Sequence, residues 1–413
     1  MPTVLCRVFS LCVLFVFAAS CSQAQPEQPP VVATSTSQDV ISFGHRESFA
    51  SEVLGETKML YVSLPPLYNE HVHSYPLVLV LEAEFLFEPA RAVSNLMAAR
   101  SKMPESIIVG ITNGEFDKRR ELSYPRWGGI PEKHLQFYQE ELIPYLERTY
   151  RLNDHRTLVG LSPTCGVLYE AFLNQPDLFD AYLALSAHLE WDRVEGTPLF
   201  EEITGQNANT QRPRATFYLG RSRNDFSTFR GSEEAFAQAQ TFLQTYQPNR
   251  VNIKVEVLDE EEHYLMALAG LRSGFEAIYP NTLWRNPGFS GWDTEEDYAQ
   301  TYYREYYKGL SEHYGFAILP VETAHGYGYS FSGRIHGAKR WGTPQQVLSL
   351  AELGVSYFPN SAHLWMTLAE TQQAQGNLTK VTEAGQKALT LAEQYRPAEL
   401  TQYQQRWQAM DLE

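Results

Sequence analysis

Cysteine is scarce in this chain. There are four among 413 residues, and Cys6, Cys12 and Cys21 all fall near the start. Cys165 is left alone in the body, so no internal disulfide can form there and the core must hold by packing. Basic charge is also short. Against 49 Asp and Glu there are 33 Lys and Arg, for a formal net charge of −16. That balance argues against a nucleic-acid partner, because phosphate binding needs a concentrated basic face. Long apolar runs are missing too, since Val8 to Ala19 is too short to span a bilayer as a helix. No glycine-rich phosphate loop follows any predicted strand. His71 and His73 form an isolated H-x-H with no nearby partner to complete a metal site, and they read as a solvated hairpin turn. No cofactor is expected. What remains is 43% apolar and 20% charged, the composition of a globular protein.

The first residues read as an export signal: Arg7, then the apolar run, then small residues. Ala18-Ala19-Ser20-Cys21 resembles a bacterial lipobox, which makes Cys21 a lipidation candidate. Ser22-Gln23-Ala24 offers an ordinary cleavage site as the alternative. The expected location is the periplasm, either free or anchored to a membrane as a lipoprotein. Residues 22–44 are rich in Gln, Pro, Ser and Thr, as a flexible tether would be.

From 45 to 280, apolar runs alternate with helical patterns. Leu77–Leu81, Ile107–Ile111, Thr157–Val159, Ala181–Leu185 and Phe217–Leu219 read as strands covered on both faces. Val251–Leu258 alternates and reads as an edge strand, and Glu52–Leu64 supplies one or two antiparallel strands. Helices fit Glu132–Arg148, Val167–Asn174, Glu233–Tyr246 and Leu265–Ile278. The expected fold is α/β: a mostly parallel sheet flanked by helices. Residues 281–342 read as a Pro/Gly/aromatic linker, a helix over Thr294–Tyr314 with a tyrosine stripe, and a loop over His325–Gly337. The stripe reads as packing, with a position across the active-site mouth as the alternative. From 343 to 413 the pattern is all-helical. Thr343-Pro344 gives it an N-cap and a first-turn proline. Trp365, Leu368, Ala369, Gly376, Val381 and Ala388 resemble one tetratricopeptide unit. These helices read as a cap on the larger domain, or as a docking surface for a protein partner.

The chemistry centres on Arg156-Thr-Leu-Val-Gly-Leu-Ser-Pro-Thr-Cys-Gly166. An apolar strand ends at Gly160, Ser162 follows at a turn, and a helical pattern begins at once. This is the layout of a nucleophile elbow, which lifts a serine hydroxyl above the C-terminal edge of a sheet. A serine needs a base, and in this topology the order along the chain is Ser, acid, His. His263 lies just past the last predicted strand and is the expected base. Asp225, after the strand ending at Leu219, is the expected orienting acid, with Asp259 as the alternative. Two features depart from the usual G-x-S-x-G. Thr164 replaces the last glycine, and Pro163 has no N–H to offer an oxyanion. The expected oxyanion donors are therefore Ala83 and Glu84 in the loop after Leu81, with the Thr164 N–H or hydroxyl substituting for residue 163. Arg119 and Arg120 lie on the ligand-binding side of the sheet and read as a solvated loop or a grip on an anionic substrate. Cys165 reads as a small buried hydrophobe, or as a reactive thiol.

Several segments together resemble the putative-esterase family of α/β hydrolases, which includes esterase D-like, feruloyl-esterase-like and siderophore-esterase enzymes. They are Tyr61–Tyr68, Tyr75–Leu81, Ile107–Asn113, Glu141–Tyr145, the elbow, Pro176–Phe179 and Ser186–Asp192. Tyr357–Ala362 and the helices after it resemble the tetratricopeptide-like extension of some members. The resemblance implies hydrolysis of a small-molecule carboxylic ester through an acyl-enzyme, without a cofactor. Ser162 maps to the family's nucleophile, His263 to its histidine and, more loosely, Asp225 to its acid. Where members commonly show G-H-S-x-G-G and Leu-Asp-Gly, this chain has Gly-Leu-Ser-Pro-Thr-Cys and Leu81-Glu-Ala83. Those differences touch activity more than fold. A hydrolase-shaped binding protein with weakened turnover, and an acyltransferase using the same residues, are the rival expectations.

Overall fold

The computed structural model describes residues 42–188, 199–228, 232–259, 261–285, 298–323 and 330–410. The expected signal, the Cys21 site and nearly all of the tether lie outside these residues, as does most of the 284–292 linker. Among the described residues no helix is long and apolar enough to cross a membrane.

Eight strands form one sheet: β1 (His45–Ser51), β2 (Glu56–Ser63), β3 (Tyr75–Leu81), β4 (Ile107–Ile111), β5 (Leu152–Leu161), β6 (Ala181–Leu185), β7 (Ala215–Ser222) and β8 (Val251–Leu258). Their spatial order is β1-β2-β4-β3-β5-β6-β7-β8. β1 and β2 are antiparallel, and β2 joins β4 antiparallel; every later pairing is parallel. β8 is the edge strand that its alternation predicts. The mostly parallel α/β sheet expected from the sequence is the fold observed.

The parallel strands are apolar throughout because helices cover both faces. Side chains alternate across a strand. Leu77, Leu79 and Leu81 enter one core cluster, while Val78 and Val80 enter the other. Full burial of each such side chain contributes about 1.5–3 kcal/mol. The first cluster includes the segment Pro131–Thr149, which is one helical run with a π turn at Tyr138–Leu142. Pro144 explains the widened turn, since it cannot donate to a carbonyl in the preceding turn.

The second cluster includes residues of the helices Ala83–Ala99, Ala267–Ile278 and Tyr298–Tyr314. Tyr303 and Tyr307 are buried in it with rings stacked at 6.3 Å, so the tyrosine stripe is a packing surface. The same cluster takes in Phe331, Leu350 and Leu364 from the C-terminal helices. Part of the segment read as a loop over His325–Gly337 is helix, Phe331–Trp341. Ser330 caps it by accepting from the Gly333 N–H, and Phe331, Ile335 and Ala338 are buried at helical spacing. Its two glycines hide that pattern in the sequence. Helices Pro344–Tyr357, Ala362–Ala374, Leu378–Tyr395 and Leu400–Gln408 follow. Thr343 accepts from the Gln346 N–H in a capping box, as its place before Pro344 leads one to expect.

His134 in the first-cluster helix is 3% exposed. Burial, aided by Lys58, pushes its imidazole down from 6.5 to about 4. The folded state therefore resists a proton that the unfolded chain accepts. His134 contributes stability above pH 6.5 that is lost as pH falls through about 4. At about 1.4 kcal/mol per unit, the loss is on the order of 3 kcal/mol. Urea denaturation at pH 7 and pH 4 checks this. His134→Gln is expected to shrink the difference, and an unchanged difference would show that His134 is not the cause.

Candidate active site

β5 carries the chain to Leu161, a short 3₁₀ turn holds Ser162–Thr164, and the helix Cys165–Asn174 departs. Ser162 sits at φ 57°, the left-handed conformation that a nucleophile turn imposes on a non-glycine residue. Two glycines make the bend possible. A Cβ on Gly160 would come within 2.8 Å of Leu168 Cδ1, and one on Gly166 within 2.4 Å of the Ser123 carbonyl carbon. Thr164 locks the turn. Its Oγ1 accepts from the Leu161 N–H at 2.9 Å and lies 3.0 Å from the Leu161 carbonyl oxygen.

β7 and β8 deliver the other two groups. Asp225 opens a short helix just after β7 and is 3% exposed. His263 follows β8, and its carbonyl accepts from the Ser186 hydroxyl at 2.8 Å. His263 Nδ1 lies 2.8 Å from Asp225 Oδ1, and His263 Nε2 lies 2.9 Å from Ser162 Oγ. Arg221, almost fully buried, stands 3.7 Å from Asp225 Oδ2. The three residues picked from three separate segments thus meet in one hydrogen-bonded line. Asp259 does not join them; it is exposed and pairs with Arg223 at 2.7 Å.

The other expected site residues behave differently. Glu82 adopts φ 53° and the helix Ala83–Ala99 starts after it. The Phe85 and Leu86 N–H groups bond back to the Glu82 carbonyl. Ala83 and Glu84 supply the first-turn N–H groups, which have no acceptor within the helix. The Glu84 side chain turns away and accepts from the Gly114 N–H at 2.9 Å. The Thr164 hydroxyl is taken up by Leu161 and by Glu82 Oε2 at 3.3 Å, which leaves only its N–H for an oxyanion. Cys165 is fully buried, its thiol facing the Leu185 carbonyl at 3.4 Å. Burial raises its pKa far above neutrality, so it is a packing residue.

Arg119 corrects the reading of a solvated loop. It is 6% exposed and pairs with Glu82 Oε1 at 2.9 Å. It also donates to the Tyr264 hydroxyl at 3.2 Å, and the Tyr264 ring stands edge-on to His263 and to Phe85. Burial raises the Glu82 pKa while Arg119 opposes the rise. Nothing in the sequence pairs Glu82 with Arg119; only the sheet brings their loops together. Beside the elbow is a cavity of about 450 Å³ lined by Arg119, Arg120, Ser123, Trp127 and Pro163. It is of the size that takes a small organic molecule.

Known proteins resemble this chain. Over 164 residues the chain is 25% identical to the ferri-bacillibactin esterase BesA of Bacillus subtilis, covering 32% of this chain and 55% of that protein. The chain thus matches only about half the length of that relative. A solved IroE-like serine hydrolase from Shewanella oneidensis superposes with a TM-score of 0.58 at 20% identity, over 76% of this chain and 99% of the other. A solved uncharacterised protein from Capnocytophaga ochracea gives 0.54 at 18% identity, over 84% and 93%. Both share the fold. Residues 51–307 match the family described as Putative esterase, which is more than half of the sequence, and the chain belongs to that family.

Proposed function

We propose that this chain is an exported serine hydrolase that cleaves a small-molecule carboxylic ester through an acyl-enzyme. The observation that carries this reading is the unbroken contact from Asp225 through His263 to the Ser162 hydroxyl, 2.8 and 2.9 Å. His263 Nδ1–H donates to Asp225, so Nε2 is free to accept the Ser162 proton. Ser162 Oγ then bonds to the ester carbonyl carbon, and the imidazolium returns the proton to the departing alcohol. Water, deprotonated by His263, releases the acid and restores the serine. The developing oxyanion is met by main-chain N–H groups of Ala83, Glu84 and Thr164. The cationic, aromatic cavity beside the elbow suits an anionic or aryl acyl group, and a siderophore ester of the kind named for BesA fits that chemistry. Incubation with ferri-bacillibactin and mass analysis of the products tests this. Free acid supports hydrolysis, an acyl group moved to an added alcohol supports an acyltransferase, and intact ligand rules out this substrate.

One observation favours the rival of a binder with weakened turnover: Pro163 removes the N–H that normally follows the nucleophile. Loss of one such donor costs about 10²–10³ in kcat. Pro163→Ala restores the N–H and is expected to raise kcat on an aryl ester by up to that factor. An unchanged kcat would mean that the missing donor does not limit the rate.

Export and anchoring rest on the 1–21 segment alone. Metabolic labelling with radioactive palmitate is expected to mark the wild-type protein and not Cys21→Ser. Equal absence of label from both would mean that Cys21 is not lipidated.

A further inference from the structure

At the N-terminal edge of the parallel strands, away from the elbow, four ionisable side chains converge. His71 and His73 precede β3, and Glu105 precedes β4. Glu322 comes from the far side, between the helices Tyr298–Tyr314 and Phe331–Trp341. One ligand atom from each of His71, His73 and Glu105 lies within 4.8 Å of the others. The two imidazole rings stand 4.9 Å apart, and Phe358 closes over them at 4.7 and 6.1 Å. This is not the solvated turn that H-x-H suggests: His71 is 3% exposed and Glu322 is fully buried.

We propose that His71, His73 and Glu105 form a binding site for a divalent cation of the zinc type, with Glu322 orienting His71. The donor set is two imidazoles and one carboxylate, which leaves a fourth tetrahedral position for water. His71 Nε2 donates to Glu322 Oε2 at 2.8 Å, so its remaining lone pair is on Nδ1, where a cation would displace the Tyr75 hydroxyl now 3.3 Å away. The Glu322 contact is the carboxylate–histidine relay that metal sites use to fix a tautomer. His73 Nδ1 is buried without a hydrogen-bond partner among the described residues. Two carboxylates, Glu105 and Glu322, share this space, and Arg151 borders it, its Nε donating to the His73 carbonyl at 3.3 Å. Tetrahedral ligation brings donor atoms to roughly 3.4 Å of each other, so the cluster contracts by about an ångström on binding.

The cation would act as a clamp. Glu322 also accepts from the Ser361 hydroxyl, which caps the helix Ala362–Ala374. The sheet and the C-terminal helices therefore meet at this point. β3 spans roughly 20 Å between this edge and the catalytic one, so the role is structural rather than catalytic.

The test uses the full, tag-free chain, stripped with chelator, and zinc ions as the probe. Wild type is expected to take up one zinc per chain and to melt a few degrees higher when zinc is saturating. His73→Ala and Glu105→Gln are expected to lose that stoichiometric uptake. Glu322→Gln should weaken it about 10–100-fold. Fluorophosphonate labelling of Ser162 in each variant reports that the hydrolase part remains folded. Wild type that takes up no zinc overturns the proposal, as does uptake that survives in both ligand variants. Should both variants fail to fold, the X-ray absorption spectrum of zinc-loaded wild type decides. Two imidazoles with oxygen ligands support the site, and any other ligand set overturns it.

Discussion

Ser162→Ala is expected to lower kcat on an aryl ester by about 10⁶-fold, to the level that binding and oxyanion contacts alone sustain. The size follows from the geometry. Ser162 Oγ lies 2.9 Å from His263 Nε2, within reach for proton transfer. The bend that holds it is fixed by Gly160, Thr164 and Gly166, none of which the substitution touches. Folding should therefore survive, and circular dichroism with a thermal melt checks that it does. KM is expected to change little, because the hydroxyl contributes to the transition state rather than to substrate binding. A residual rate within tenfold of wild type would mean that another nucleophile carries the reaction.

Asp225→Asn is expected to cost about 10⁴-fold in kcat, again with little change in KM. The asparagine amide can present its NH₂ group to His263 Nδ1, which then must accept. The ring proton moves to Nε2, where it faces Ser162 and cannot take the hydroxyl proton. Arg221 adds to the effect, since the variant leaves it 3.7 Å from a neutral group in a nearly dry site. Asp259→Asn serves as the comparison. That carboxylate is exposed and pairs with Arg223, so its loss should leave kcat within about twofold. If the two variants lost activity equally, Asp225 would not be the orienting acid.

The parts of the fold and site that are legible in the sequence are those set by neighbours along the chain. Leu77–Leu81 and Ala181–Leu185 are apolar at every position, which only a strand covered on both faces requires. Gly160 through Gly166 states its own turn. The Ser, Asp, His order could be read because each residue follows a strand, and parallel strands put those ends on one edge. Helix Ala83–Ala99 is harder to read, because Pro89 interrupts its pattern. Contacts between distant segments are not legible at all. Glu82 and Arg119 meet across the sheet, and His71 finds Glu322 251 positions away. An imidazole in a short loop looks solvated until the partner that buries it is known. Thr164 is intermediate: its departure from glycine is visible, but the use of its hydroxyl to close the elbow depends on a backbone bend that only coordinates give.

The most direct test of a nucleophilic Ser162 is to treat the folded wild-type chain with a fluorophosphonate and map the modified peptide by mass spectrometry. A single adduct on Ser162, lost in Ser162→Ala and strongly slowed in His263→Ala, is the result expected. An adduct on any other residue, or none on folded protein, would contradict it.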